Sequence, residues 1–272
     1  MMTPAGIRWT IFAGLFAVVT LSYLVVVDFG SLTSPEVQKS YDYLENLPEG
    51  AVVMVSFDHE ASSLPEIQPI ALAILRHIFR NNLKPVGVSL FAEGTAIGYR
   101  LMNKTAGEFG KKYGTDYVFM GFKPQQIAAI LGMGESIKNI FPEDYLGTPV
   151  GRLPLMADIE NYDDIEMVIS IADGSLTVHW IEYAGAKYDQ PVMAGLTAAM
   201  ITSYDPYLSS GQLFSVVGGL KGAAEYESLI GRKGGGTRGM MAQTTTHLYV
   251  IVLIIIGNIF YFRGRAKGGA KQ

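Results

Sequence analysis

The 272-residue chain contains no cysteine, which excludes a disulfide scaffold, thiolate-held zinc or iron–sulfur, and a thiol nucleophile. It leaves the compartment open, because a chain of this length can build a core without covalent staples. Charge is scarce as well: Asp, Glu, Lys and Arg make up 17% of the residues, against about a quarter in soluble globular proteins. The formal net charge is −4, so no nucleic-acid partner is expected. The four histidines form no H-x-H or H-x-x-x-H pair. Neither a G-x-S-x-G elbow nor a G-x-x-x-x-G-K-[ST] loop occurs, which removes the common α/β-hydrolase and P-loop arrangements. No cofactor and no metal is implied.

What the chain has instead is apolar residues, 49% of the total, concentrated at the two ends. Residues 7–27 carry one charge, Arg8, and residues 244–262 carry none if His247 is neutral. At 1.5 Å per residue each reaches roughly 30 Å, the thickness of a hydrocarbon core. Both are predicted to span a bilayer. The first is longer than a signal-peptide core and lacks a clear A-x-A site, and a basic stop follows the second. All 25 acidic residues lie between Asp28 and Glu227, whereas Arg8, Arg263, Arg265, Lys267 and Lys271 lie outside the stretch Asp28–Thr246. The basic tail at 263–272 predicts that both termini are cytoplasmic and the middle extracytoplasmic, although Arg232, Lys233 and Arg238 pull the other way.

Between the spans, residues 35–231 alternate short apolar runs with amphipathic stretches. Strands are predicted at 51–57, 85–91, 117–122, 165–172 and 191–196. Helices are predicted at 66–82, 96–113, from 125 onward, at 177–188 and at 212–230. In the first helix Ile67, Ile70, Ala71, Ile74, Leu75 and Ile78 share one face, with Arg76, His77 and Arg80 on the other. Residues 141–154 read as a long surface loop and 232–243 as a Gly-rich linker. The pattern predicts an α/β fold: a mostly parallel sheet of about five strands with helices on both faces, flavodoxin-like or Rossmann-like in order.

In such sheets ligands bind beyond the carboxyl ends of the strands. The residues there are Asp58, His59 and Glu60 after the first strand, Glu93 after the second, Lys123 after the third and Asp173 after the fourth. A flavodoxin-like order would set Asp58 opposite Lys123. Asp58-His59-Glu60 offers metal ligands or an acid/base pair; the plainer reading is that Asp58 caps the next turn and its neighbours are solvated. Gly132-Met133-Gly134 lacks the third glycine of a dinucleotide fingerprint. Gly218, Gly219, Gly222, Ala223 and Ala224 read as close helix packing.

Three stretches occur together between the two spans: SFDHEASSLPEIQPIALAILRHIFR at 56–80, YGTDYVFMGFKP with ILGMGESI within 113–137, and SGQLFSVVGGLKGAAEYE at 210–227. The combination resembles an uncharacterised family of membrane-anchored α/β proteins. The resemblance implies the two-anchor architecture and carries no activity and no site residues. The leading expectation is a non-enzymatic component of a membrane assembly, in contact with the lipid bilayer and with a membrane-protein partner or a second copy. Gly257 and Asn258 inside the second span are the candidate partner contacts, since a mid-span Asn bonds across helices. The alternatives are a small-molecule or peptide-binding sensor and a metal-assisted hydrolase built on Asp58, His59, Glu60 and Asp173.

Overall fold

The structure is a computed structural model that describes residues 3–24 and 32–269. Residues 25–27 of the expected first span, and Lys271 of the basic tail, lie outside these. The chain divides into two units, the terminal helices and a body comprising residues 31–236.

The body is built on a six-stranded, wholly parallel sheet: β1 (Val52–Asp58), β2 (Lys84–Ser89), β3 (Val118–Phe122), β4 (Met167–Ala172), β5 (Val192–Leu196) and β6 (Ser215–Gly218). Their order is β3-β2-β1-β4-β5-β6, which is the Rossmann order rather than the flavodoxin one. The five predicted strands all form. The sixth arises inside the stretch expected to be the last helix. Ser215, Val216 and Val217 are too few to show a period, and the glycines that follow read equally well as helix packing.

Why the strands lack alternation is now explicit. Val53, Val55 and Phe57 of β1 join a core with helices α2 (Pro35–Asn46), α3 (Leu64–Arg80) and α4 (Ala92–Glu108). Met54 of the same strand joins a second core on the opposite face. That face is covered by α5 (Gln126–Met133), the short α6 (Ile137–Ile140), α7 (Leu176–His179) running through a π-turn (Trp180–Gly185) into α8 (Ala186–Tyr188), and α9 (Ile201–Ser209). The stretch expected as a surface loop contributes buried Phe141, Val150 and Leu153 to this core, so it is a packed cover. Helix α10 (Gly219–Leu229) returns to the first face, against α3.

One residue expected to be solvated lies deep in the packing. His77 of α3 is fully buried; its Nε2–H donates to Glu45 at 2.7 Å, and its Nδ1 accepts from the Tyr226 hydroxyl at 2.8 Å. Tyr41 stacks on the ring, centroids 4.5 Å apart. Burial pushes the imidazole down to about 4 against the pull of Glu45, so the ring is neutral at pH 7 and the pair is a hydrogen bond, not an ion pair. Arg80 does lie outward, paired with Glu45, whereas Arg76, paired with Glu108, is largely covered at 13% side-chain exposure.

The terminal unit consists of α1 (Pro4–Leu24) and α11 (Gly235–Gly269), both long and apolar enough to cross a membrane and almost devoid of buried residues. They pair antiparallel. Ser22 Oγ meets Thr245 Oγ1 at 2.6 Å, and the Tyr249 hydroxyl donates to the Ile11 carbonyl at 3.0 Å beside Gly14. A Cβ at Gly14 would sit 2.3 Å from that hydroxyl, so glycine is what admits the tyrosine.

Helix α4 offers an internal comparison. A Cβ on Gly94 would lie 2.0 Å from the Phe57 carbonyl oxygen, whereas one on Gly107 would meet nothing within 4 Å. Gly94→Ala is therefore expected to destabilise the body by about 3 kcal/mol or more through forced backbone movement. Gly107→Ala should stabilise it by about 0.5–1 kcal/mol, by removing unfolded-state freedom. Denaturant titrations of the two variants check the opposite signs.

Candidate functional site

In the observed order the chain reverses direction between β1 and β4, and the crevice at their carboxyl ends is the expected ligand position. A cavity of about 590 Å³ lies there, lined among others by Asp58, Glu60, Glu66, Gln126, Asp173 and His179. Asp58 is placed by register: it is the last residue of β1 and stands beside Ala172, the last of β4.

Asp58 is 2% exposed, and three donors from three segments converge on it. Ser56 Oγ, two residues back on the same side of β1, donates to Oδ2 at 2.5 Å. The Leu90 amide at the exit of β2 donates to Oδ1 at 2.7 Å, and Trp180 Nε1–H to Oδ2 at 3.2 Å. Burial outweighs these bonds and raises the carboxyl to about 6, with nearby Asp173 acting in the same direction. So Asp58 does not cap the following turn. It bolts β1 to the β2 exit and to the π-turn.

Three further acids in or beside the site, Asp173, Glu66 and Glu93, each hold a loop amide. Asp173 accepts from the Glu60 amide at 2.8 Å, across the chain reversal. Glu66 accepts from the Ala198 amide at 2.8 Å and Glu93 from the Ala61 amide at 3.4 Å. His59 is fully buried, not solvated. Its Nδ1–H donates to the Glu60 carbonyl at 3.1 Å, and Nε2 has no partner among the described residues. Burial holds its pKa below the usual value, so Nε2 is a buried lone pair. Nδ1 of His179 is likewise buried without a partner.

The structure brings Asp58, Glu60 and Asp173 to one crevice and sets Glu93 beside its β1 loop. Lys123 is not brought to Asp58. Strand β3 is an edge strand, two places from β1, and the lysine lies 5.6 Å from the Phe141 ring instead. Among the described residues no three His, Cys, Asp or Glu side chains are gathered to hold a metal ion, since adjacent residues leaving a strand diverge. Trp180, Glu66 and His179 were not legible as site residues. Only Ser56, two positions before Asp58 on the same strand face, had a readable signal.

Dinucleotide chemistry is disfavoured here. The β1–α3 turn has no glycine, and the first turn of α3 carries Glu66 where a pyrophosphate would need open amides. Gly132 and Gly134 serve packing: a Cβ on either would lie 2.4 Å from Ile140 or 2.2 Å from Tyr188. Comparison with family models, curated proteins and solved structures returns no match.

Two outcomes are expected at Asp58. Asp58→Ala leaves the Leu90 amide and the Trp180 indole without an acceptor and should cost about 2–4 kcal/mol of stability. The carboxyl is raised in the folded state, so its ionisation opposes folding above a pH of about 6, and that penalty fades as pH falls toward the unfolded value of about 4. Wild type should thus gain stability relative to Asp58→Asn between pH of about 7 and about 5. Thermal melts of both proteins at the two pH values, followed by tryptophan emission, check the sign.

Proposed function

We propose that the protein is a membrane-anchored, non-enzymatic α/β module acting as a component of a membrane assembly. Both termini are cytoplasmic and the body is extracytoplasmic. Antiparallel pairing of α1 and α11 supports a two-span anchor whose outer ends share one side, and Arg8 and Arg263 with the residues beyond it supply the positive charge that favours the cytoplasm.

The observation that carries the assembly is Asn258. Within the terminal unit the polar groups near the contact line are satisfied, Ser22 by Thr245 and Tyr249 by Ile11. Asn258 is exposed on α11 and bonds no described residue, and nothing lies within 4 Å of a Cβ on neighbouring Gly257. It sits five residues, about 8 Å, inside Arg263. An unpaired amide in hydrocarbon is costly, and a small residue beside it admits another helix closely. Asn258→Leu is expected to weaken the complex by about 1 kcal/mol, roughly fivefold in association. Native gel electrophoresis of membranes solubilised in mild detergent reads this out. A wild-type protein that runs only as a monomer overturns the reading.

A second reading, a small-molecule binding module, is favoured by the crevice. Its volume lies within the range of ligand pockets, and its carboxylates select a small cationic ligand. Spermidine and free arginine are the probes. Either should raise the melting temperature of the intact protein, and Glu60→Gln should reduce the effect. Absence of any shift with both amines removes this reading.

A further inference from the structure

Glu225, Tyr226 and Glu227 are consecutive on α10 and all are buried, at 1%, 0% and 1% exposure. Two buried glutamates one residue apart demand strong partners; main-chain amides supply several of them, and Lys221 pairs with Glu225 Oε1 at 3.5 Å. Glu225 Oε2 accepts from both the amide and the hydroxyl of Ser34, at 3.0 and 2.6 Å. Glu227 accepts from the Gly234 amide on one oxygen and the Gly236 amide on the other, both at 2.8 Å. Ser34 opens α2, where the chain enters the body, and Gly234–Gly236 is where it leaves. Tyr226 between the two glutamates ties α10 to α3 through His77.

The glycines at the exit are packed, not loose. A Cβ on Gly236 would lie 2.7 Å from the Ala223 side chain and the Ala224 amide; one on Gly234 would lie 2.6 Å from Glu227, and one on Gly235 3.1 Å from Pro69. Only a bare backbone approaches α10 and α3 this closely. Helix α11 already begins at Gly235, so within the expected Gly-rich linker residues 234–236 are seated against α10 and α3.

The opposite end of α10 touches the crevice. Gly219 opens the helix with φ at +59° and leaves only 2.9 Å between a would-be Cβ and Ala198. The Ala198 amide is held by Glu66, and Thr197 and Ala199 line the cavity. One helix of eleven residues, about 16 Å long, therefore abuts the crevice rim at one end and clamps both chain crossings at the other.

We propose that α10 is a rigid coupling: it fixes the entry at Ser34 and the exit at Gly234–Gly236 to the body, and it makes both follow the crevice rim at 197–199. The physical warrant is a continuous set of short bonds and close packing. The coupling does not depend on which ligand, if any, fills the crevice.

Amide hydrogen exchange of the full chain in lipid nanodiscs tests it. In wild type, peptides covering 32–38 and 231–236 should be protected. Glu227→Ala should speed exchange in 231–236 by about tenfold or more, and Glu225→Ala should do so in 32–38, as loss of hydrogen bonds to a charged group implies. Strand peptides should keep their wild-type rates, and Glu227→Gln, which retains one acceptor oxygen, should fall between. Glu66→Ala at the rim should accelerate both connector peptides together. Wild-type connectors that exchange as freely as unstructured chain overturn the proposal, as do connector rates unmoved by Glu225→Ala and Glu227→Ala, or by Glu66→Ala.

Discussion

A carboxylate without solvent sits at the end of the central strand, and the site is arranged around it. Asp58 gathers a serine of its own strand, the amide at the exit of β2 and the indole of a π-turn. Those bonds come from both sides of the sheet's reversal point, so the crevice has its shape because the carboxylate is there. The raised pKa shows that the three donors do not fully replace water. His77 presents the mirror case across the sheet, a base kept neutral by burial while its hydrogen bonds join three helices. The two act oppositely on stability in mild acid: protonation of Asp58 relieves folding strain, and protonation of His77 would place a cation in the core.

How much of this was legible divides along physical lines. The strands were, because a strand buried on both faces must be apolar throughout, and AVVMVSF or IEMVISIA can hardly be read otherwise. The sheet order was not, because order depends on which crossovers pack best, and no residue encodes that locally. That gap misplaced Lys123. His77 was misread because flanking arginines make a helix face look solvated, yet on a helix of seventeen residues one position can be covered by α2 and α10 while Arg80, three residues on, stays exposed. The strand-end acids Asp58, Glu60 and Asp173 could be read as neighbours at one end of the sheet. Their indole partner could not be, since Trp180 is 122 positions from Asp58.

Glycine was the most deceptive residue. Runs such as GRKGGGTRG have the composition of a tether, but composition cannot distinguish a glycine chosen for freedom from one chosen for closeness. Gly94, Gly98, Gly134 and Gly236 are of the second kind, each with a neighbour where its side chain would be. A tether and a seated strip have opposite mechanical meaning. The first uncouples a domain from its anchor, whereas the second obliges the anchor's connectors to move with the domain.

The acidic excess of the body also changes meaning once its partners are known. Asp173, Glu66, Glu225 and Glu227 each accept from main-chain amides, and so do Asp116, Asp144 and Asp164. In a chain poor in lysine and arginine, carboxylate-to-amide bonds take the role that ion pairs have elsewhere, since a charged acceptor strengthens each bond. Much of the negative charge is thus engaged in holding loops, and net charge alone says little about a basic partner. What remains for a ligand is the charge around the crevice that is not consumed in this way. Glu60 is the clearest example: it is exposed on the rim, and among the described residues its carboxylate meets only the Ser62 hydroxyl, at 3.2 Å. In the proposed binding module, a cation entering the crevice would meet Glu60 and the second oxygens of the loop-binding acids Asp173 and Glu66.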